Sequence, residues 1–183
     1  MEKYSKGEIA KIILKSLLVT AVVVTVVALP GSAQILTLFK PKNKREEYKV
    51  TRSLHSLKKN KYVRVYKKNG KDIIEITRKG KRRISSYDYE DIKLQHVKKW
   101  DGLWRVVMFD IPERKKRARN AISRKLKELG CHAVQKSVFI YPYDCRKEMD
   151  FIAGYLYVRK YIQYMEVKKV DNEGKIKKRF HIK

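Results

Sequence analysis

The apolar run Ser16–Leu29 constrains the fold most, because 14 uncharged residues in a row must be covered by protein or by lipid. Basic residues precede the run, and Pro30-Gly31 ends it. A membrane-spanning helix needs about 20 apolar residues, and extending this run back to Ile12 places Lys15 inside it. A secretory signal peptide also joins basic residues to an apolar stretch. We expect a buried core helix, with membrane contact through residues 12–29 and a signal peptide as alternatives.

Positive charge dominates the composition, with 46 Lys and Arg against 19 Asp and Glu and a formal net charge of +27. Such an excess opposes compact folding through self-repulsion, so it indicates a polyanionic partner. Duplex DNA is the partner we expect, with an acidic membrane or protein as alternatives. Cys131 and Cys145 show no CxxC spacing, which argues against a zinc site and favours reduced thiols in a cytoplasmic protein.

An amphipathic helix is predicted over Glu46–Lys59, after a basic, Pro-containing loop at residues 40–45. Val50, Leu54 and Leu57 recur at the helical spacing and predict one apolar stripe. The remaining faces are mostly basic and polar. An ordinary solvated helix has the same composition, so this pattern alone does not establish a binding surface.

A β-hairpin is predicted directly after this helix. Residues 62–66 and 72–77 are rich in β-branched and aromatic side chains, and Asn69-Gly70 between them is a strong turn signal. Thr77 is expected to cap a short helical turn over residues 78–84.

Helix, basic helix and hairpin in this order predict a winged helix-turn-helix over residues 1–84. In that fold the basic helix lies in the major groove and the hairpin, or wing, contacts phosphates. Basic side chains neutralise phosphates, whereas Thr51, Arg52 and Ser56 have groups that can reach base edges. The predicted DNA-binding residues are Lys44, Arg45, Lys49, Thr51, Arg52, His55, Ser56, Arg64, Lys67, Lys68 and Lys71.

A connector is expected over residues 85–99, followed by a second domain over residues 100–183. Its predicted elements are a strand at 103–109, a helix at 114–129, a strand at 133–141, a helix at 146–157 and a strand at 161–170. The order β-α-β-α-β, with a split in the second strand region, predicts a ferredoxin-like sandwich. The expected fold class of the whole chain is therefore α+β.

Two segments of this second domain carry a family resemblance. FDIPERKKRARNAISRKLKELG at residues 109–130, followed by QKSVFIYP at 135–142, resembles the core of CRISPR-associated protein 2. The same domain follows a winged helix in the PaaX-like family of phenylacetic-acid degradation repressors. The resemblance implies a repressor that binds duplex DNA as a homodimer, with a small acyl-coenzyme-A effector.

Asp110 supports an alternative, because the resemblance to CRISPR-associated protein 2 implies a catalytic, metal-binding role for the aspartate that ends the first strand. A Mg²⁺-dependent nuclease would need more than one anionic oxygen per metal, from a symmetry mate of Asp110 or from Glu113. A carboxylate at this position also commonly caps the following helix or accepts hydrogen bonds from its N-terminal N–H groups. We expect Asp110 to have that structural role, and the chain to need no cofactor.

Overall fold

The computed structural model describes residues 6–19, 41, 43–68, 71–95 and 99–182. These residues form two compact units, Met1–Glu90 (unit 1) and Asp91–Lys183 (unit 2). Residues 20–29 of the apolar run and the predicted turn Asn69-Gly70 lie outside the described residues.

Unit 1 combines three helices with one hairpin among its described residues. The elements are α1 (Lys6–Val19), α2 (Lys44–Lys59), β1 (Val63–Lys68), β2 (Lys71–Ile76) and α3 (Arg78–Asp91). Strands β1 and β2 pair antiparallel from Val63↔Ile76 to Lys68↔Lys71, which confirms the predicted hairpin.

The core of unit 1 joins α1 to α2 and the hairpin. Ile13, Leu14 and Leu17 of α1 are buried in one apolar cluster with the predicted stripe of α2 and with Ile74 of β2. Of the described residues of the apolar run, Leu17 is buried and Leu18 is exposed, so the expected core helix stays a prediction. No helix among the described residues is long and apolar enough to cross a membrane.

Two helix boundaries in unit 1 differ from the sequence expectation. Helix α2 begins at Lys44 rather than Glu46, because Asn43 Oδ1 accepts a hydrogen bond from the Glu46 N–H at 2.9 Å and caps the helix. Helix α3 continues to Asp91, so residues 85–91 are helical and not part of an irregular connector. Tyr87 packs against the apolar cluster of unit 1, which favours continuation of the helix.

Unit 2 contains one four-stranded sheet. Its elements are β3 (Trp104–Phe109), a 3₁₀ turn (Glu113–Lys115), α4 (Lys116–Glu128), β4 (His132–Gln135), β5 (Val138–Tyr141), α5 (Arg146–Tyr155), a 3₁₀ turn (Arg159–Tyr161), β6 (Ile162–Val167) and α6 (Glu173–Arg179). The strand order is β4-β5-β3-β6 with every neighbouring pair antiparallel. The connectivity β-α-β-β-α-β is that of a ferredoxin-like sheet.

The predicted strand over residues 133–141 is two strands. A tight turn at Lys136-Ser137 separates β4 from β5, and Gln135 pairs with Val138 across it. The sequence lacks the Asn-Gly or Asp-Gly signal that would have marked this turn. The expected split is therefore a hairpin within the sheet.

Helices α4 and α5 bury apolar stripes, with Ile122, Leu126 and Ile152 almost inaccessible to solvent. Gly130, with φ of +88°, ends α4 in the predicted left-handed position. Helix α6 was not predicted from the sequence. Its Ile176 belongs to the cluster that buries Trp104.

Candidate nucleic-acid interface

The face of α2 opposite the core is exposed and mostly basic. Tyr48, Arg52, His55 and Lys59 follow one another at spacings of four, three and four residues, so they lie on one side of the helix. All four are exposed, and Tyr48 is 64% accessible to solvent. This row places an aromatic ring, an imidazole and two cations on a single surface.

Most of the predicted contacts on α2 are solvent-accessible. Exposed residues among them are Lys44, Arg45, Thr51, Arg52, His55 and Ser56. Lys49 is half-buried and interacts with other groups of the protein. Ser56 lies at the helix end, where its carbonyl oxygen accepts a hydrogen bond from Asn60 Nδ2 at 2.8 Å. Their contact with DNA stays a prediction.

Tyr48 was missing from the residues predicted to bind DNA. Its spacing of four residues from Arg52 is visible in the sequence, and this is the signal that could have identified it. Aromatic rings beside cations are typical of surfaces that contact nucleic-acid bases.

Arg64 of the hairpin is paired within the protein. Its Nε and Nη2 donate hydrogen bonds to Glu75 Oε2 at 2.8 and 2.6 Å, and its guanidinium lies 5.3 Å from the ring centre of Tyr66. The hydrogen bond from Arg64 holds the pKa of Glu75 below its usual value. Much of the charge expected from Arg64 on the wing is therefore balanced by its neighbour. Lys67 is exposed, and the side chains of Lys68 and Lys71 lie outside the described residues.

The first turns of α3 carry a second group of exposed cations that the sequence analysis missed. They belong to the segment RKGKRR, for which the sequence predicts only a short helical turn. Its exposed members are Arg78, Lys79, Lys81 and Arg82. Lys79 Nζ lies 5.2 Å from the ring centre of Tyr62. The density of basic residues in the sequence is the signal that could have identified this group. Their exposure on the surface of α3 is visible only in the structure.

A close backbone contact fixes α3 against β1. Thr77 Oγ1 donates to Lys61 O at 2.7 Å and accepts from the Gly80 N–H at 3.1 Å, which confirms the predicted cap. A Cβ atom on Gly80 would lie 2.2 Å from Tyr62 O. Only glycine permits this approach, so the contact fixes the start of α3 beside the hairpin.

Asp110 is exposed just beyond β3, where its backbone N–H donates to Tyr161 O at 3.0 Å. The expected helix-capping role is wrong, because the N-cap positions of the 3₁₀ turn and of α4 are Pro112 and Lys115, and neither helix start has a side-chain cap. Glu113 is bound by Arg119 at 2.7 Å and by Lys116 at 3.2 Å. Hydrogen bonds from Arg119 and Lys116 lower the pKa of Glu113, and the bond from Arg119 has the larger effect. Among the described residues, no three acidic, His or Cys side chains are grouped to hold a metal.

The two cysteines are buried and unbridged. Burial raises the pKa of both Cys131 and Cys145 to about 12, so each remains a protonated thiol at neutral pH. Neither thiol is in an environment that activates a nucleophile.

Sequence comparison identifies the domain in unit 2. Residues 97–178 match the family model described as the PaaX protein central Cas2-like domain. A comparison with curated proteins finds no match. The matched residues make up most of unit 2, so unit 2 is similar to the central Cas2-like domain of PaaX proteins.

Proposed function

We propose that this chain is a DNA-binding transcriptional regulator whose unit 1 acts as a winged helix. The observation that carries the proposal is the exposed row Tyr48, Arg52, His55 and Lys59 on α2, opposite the face packed in the core. The PaaX family is associated with transcriptional regulation, which agrees with this surface.

Helix α2 is the element suited to the major groove. Arg52 can donate two hydrogen bonds to a guanine edge, and Thr51 and Ser56 can contact base edges beside it. Lys44 and Arg45 at the start of the helix, and Lys67 on the hairpin, are exposed cations, and in this proposal they neutralise phosphates. The exposed cations of α3 add to the attraction of unit 1 for DNA phosphates.

Homodimerisation through unit 2 completes the proposal. A two-fold dimer would present two copies of α2, so the operator would be approximately palindromic. Repression follows where that operator overlaps a promoter. An acyl-coenzyme-A effector, which the resemblance implies, would act by changing the affinity of this dimer for DNA.

Charge reversal on α2 tests the function. Fluorescence anisotropy of a labelled duplex, drawn from the DNA upstream of the gene, measures affinity at several salt concentrations. We expect Arg52→Glu to weaken binding about tenfold or more, because it replaces a contact with a repulsion. The matched control is Arg117→Glu, which makes the same charge change on an exposed residue of α4.

Two results would overturn this function. One is an affinity of the unaltered protein that does not decline as salt rises, since phosphate contacts release counterions. The other is an equal loss of DNA affinity in the α2 variant and the α4 control. That result would mean that the change in net charge, and not the position of Arg52, weakens binding.

A further inference from the structure

Unit 2 contains a cavity of about 480 Å³ that the DNA-binding proposal does not use. It lies between α4 and the tight turn that joins β4 to β5. Its lining is Arg119, Asn120, Ser123, Lys127, Lys136 and Ser137. The first four share one side of α4, and the last two form the turn. Cavities of this size are typical of sites for small molecules.

The chemistry of the lining is that of an anion site. The lining comprises three cationic side chains, two hydroxyls and one carboxamide, and it contains no carboxylate. Both terminal nitrogens of Arg119 have partners within the protein, since Nη2 donates to Glu113 Oε2 at 2.7 Å and Nη1 donates to Ile111 O at 3.4 Å. Lysine ammonium and serine hydroxyl groups are donors that phosphate oxygens accept, and arginine can bind phosphate through two nitrogens.

The two sides of the cavity are fixed by the fold. The Phe109 N–H donates to Ser137 O at 3.0 Å, which attaches the turn to β3. On the other side, the buried residues Ile122 and Leu126 hold α4 in place. A ligand would therefore lose little affinity to ordering the backbone, whereas the exposed side chains of Lys127 and Lys136 would become ordered on binding.

We propose that this cavity binds the phosphate groups of a small phosphorylated ligand. Its concave shape favours a compact molecule over the backbone of a duplex, which is most readily reached by protruding helices and wings. The site lies wholly within unit 2, and the proposal stands whether or not unit 1 binds DNA.

Inorganic pyrophosphate is the probe for the test. It is titrated into the full-length ¹⁵N-labelled protein at constant ionic strength while the amide resonances of Ser123 and Ser137 are followed. The cavity variant is Lys127→Ala with Lys136→Ala. The control variant, Arg117→Ala with Lys147→Ala, removes the same charge at exposed positions outside the lining.

We expect saturable shifts at both serines and a loss of affinity of about tenfold for each charge-assisted hydrogen bond removed from the cavity. The control variant should bind within about twofold of the unaltered protein. Absence of saturation, or an equal loss in the two variants, would overturn the proposal, because either result means diffuse attraction to a basic surface.

A second experiment distinguishes a small phosphorylated ligand from the DNA backbone as the source of the phosphate groups. Duplex DNA affinity is compared between the cavity variant and the control variant under the same conditions. Equal affinities support a small ligand. A larger loss in the cavity variant, together with displacement of pyrophosphate by duplex, would assign the cavity to the DNA backbone and overturn the small-ligand proposal.

Discussion

Arg105 is buried beneath Asp101, and its Nη1 and Nη2 donate to the two carboxylate oxygens of Asp101 at 2.6 and 2.5 Å. Nη1 also reaches the carbonyl oxygens of Leu103 and Pro142 at 2.7 and 3.1 Å. The Nε atom has no hydrogen-bond partner among the described residues. The pair therefore joins the segment before β3 to the end of β5, and it leaves a buried cation dependent on one half-exposed carboxylate.

Asp101→Ala should lower the free energy of unfolding of unit 2 by about 2–3 kcal/mol, because it leaves a buried charge without its partner. Both tryptophans of the chain lie in unit 2, so tryptophan fluorescence during urea denaturation reports on that unit. The control is Asp150→Ala, which breaks the exposed pair with Arg159 at 2.8 Å and should cost little. Equal losses in the two variants would contradict the special role of Arg105.

The same pair predicts a specific response to acid. The hydrogen bond from Arg105 lowers the pKa of Asp101 to about 2, from an ordinary value near 3.8. A lowered pKa stabilises the folded state above the ordinary value, and this stabilisation is lost as pH falls from about 4 to about 2. The thermal midpoint of unit 2 should fall more steeply across this window in the unaltered protein than in Asp101→Asn. Parallel curves would show that other carboxylates dominate.

Gly80→Ala should destabilise unit 1 by about 2 kcal/mol or more, because the added methyl group meets the carbonyl oxygen of Tyr62 and forces the helix away. Circular dichroism during thermal unfolding measures the change. Gly154→Ala is the control, since a Cβ there meets nothing within 4 Å and alanine is the better helix former. The two substitutions are expected to shift the midpoint in opposite directions.

Glu75→Gln should increase the affinity for duplex DNA, because it frees the guanidinium of Arg64 for a phosphate. The slope of log affinity against log salt should steepen by about 0.9 if one further phosphate is contacted. Glu128→Gln, which removes an exposed negative charge on α4, is the control. An unchanged slope would place Arg64 away from the DNA.

Asp110→Ala should leave the affinity for DNA within about twofold, because Asp110 lies outside unit 1 and the regulator needs no metal there. Affinity is measured by anisotropy, and cleavage of a labelled duplex is followed with Mg²⁺ present. A Mg²⁺-dependent cleavage that the unaltered protein shows and Asp110→Ala lacks would favour the nuclease alternative.

The elements that the sequence predicted best are those in which one face is strongly apolar. Val50, Leu54 and Leu57 defined the buried side of α2, and the β-branched strands around the hairpin defined β1 and β2. Periodicity of this kind depends on local spacing alone, so it can be read from one chain.

The missed features depend on contacts that are distant in sequence or on weak local signals. The exact start of α2 rests on Asn43 as a cap, and the β4–β5 turn has no strong turn residue. The engagement of Arg64 by Glu75 requires two strands to be in register, which spacing does not specify. Of the site residues, the sequence indicated those of α2, but the position of Lys136 beside α4 requires the tertiary fold.

Helix α6 and the residues after it cover Trp104 of the sheet. Trp104 is fully buried, its Nε1 donates to Glu173 Oε1 at 2.9 Å, and Phe180 lies 6.2 Å from it between ring centres. A chain that ended at Asp171 would expose this indole to solvent and leave an apolar depression on the sheet. Such a shortened protein should self-associate and precipitate, even though every strand of the sheet is still present.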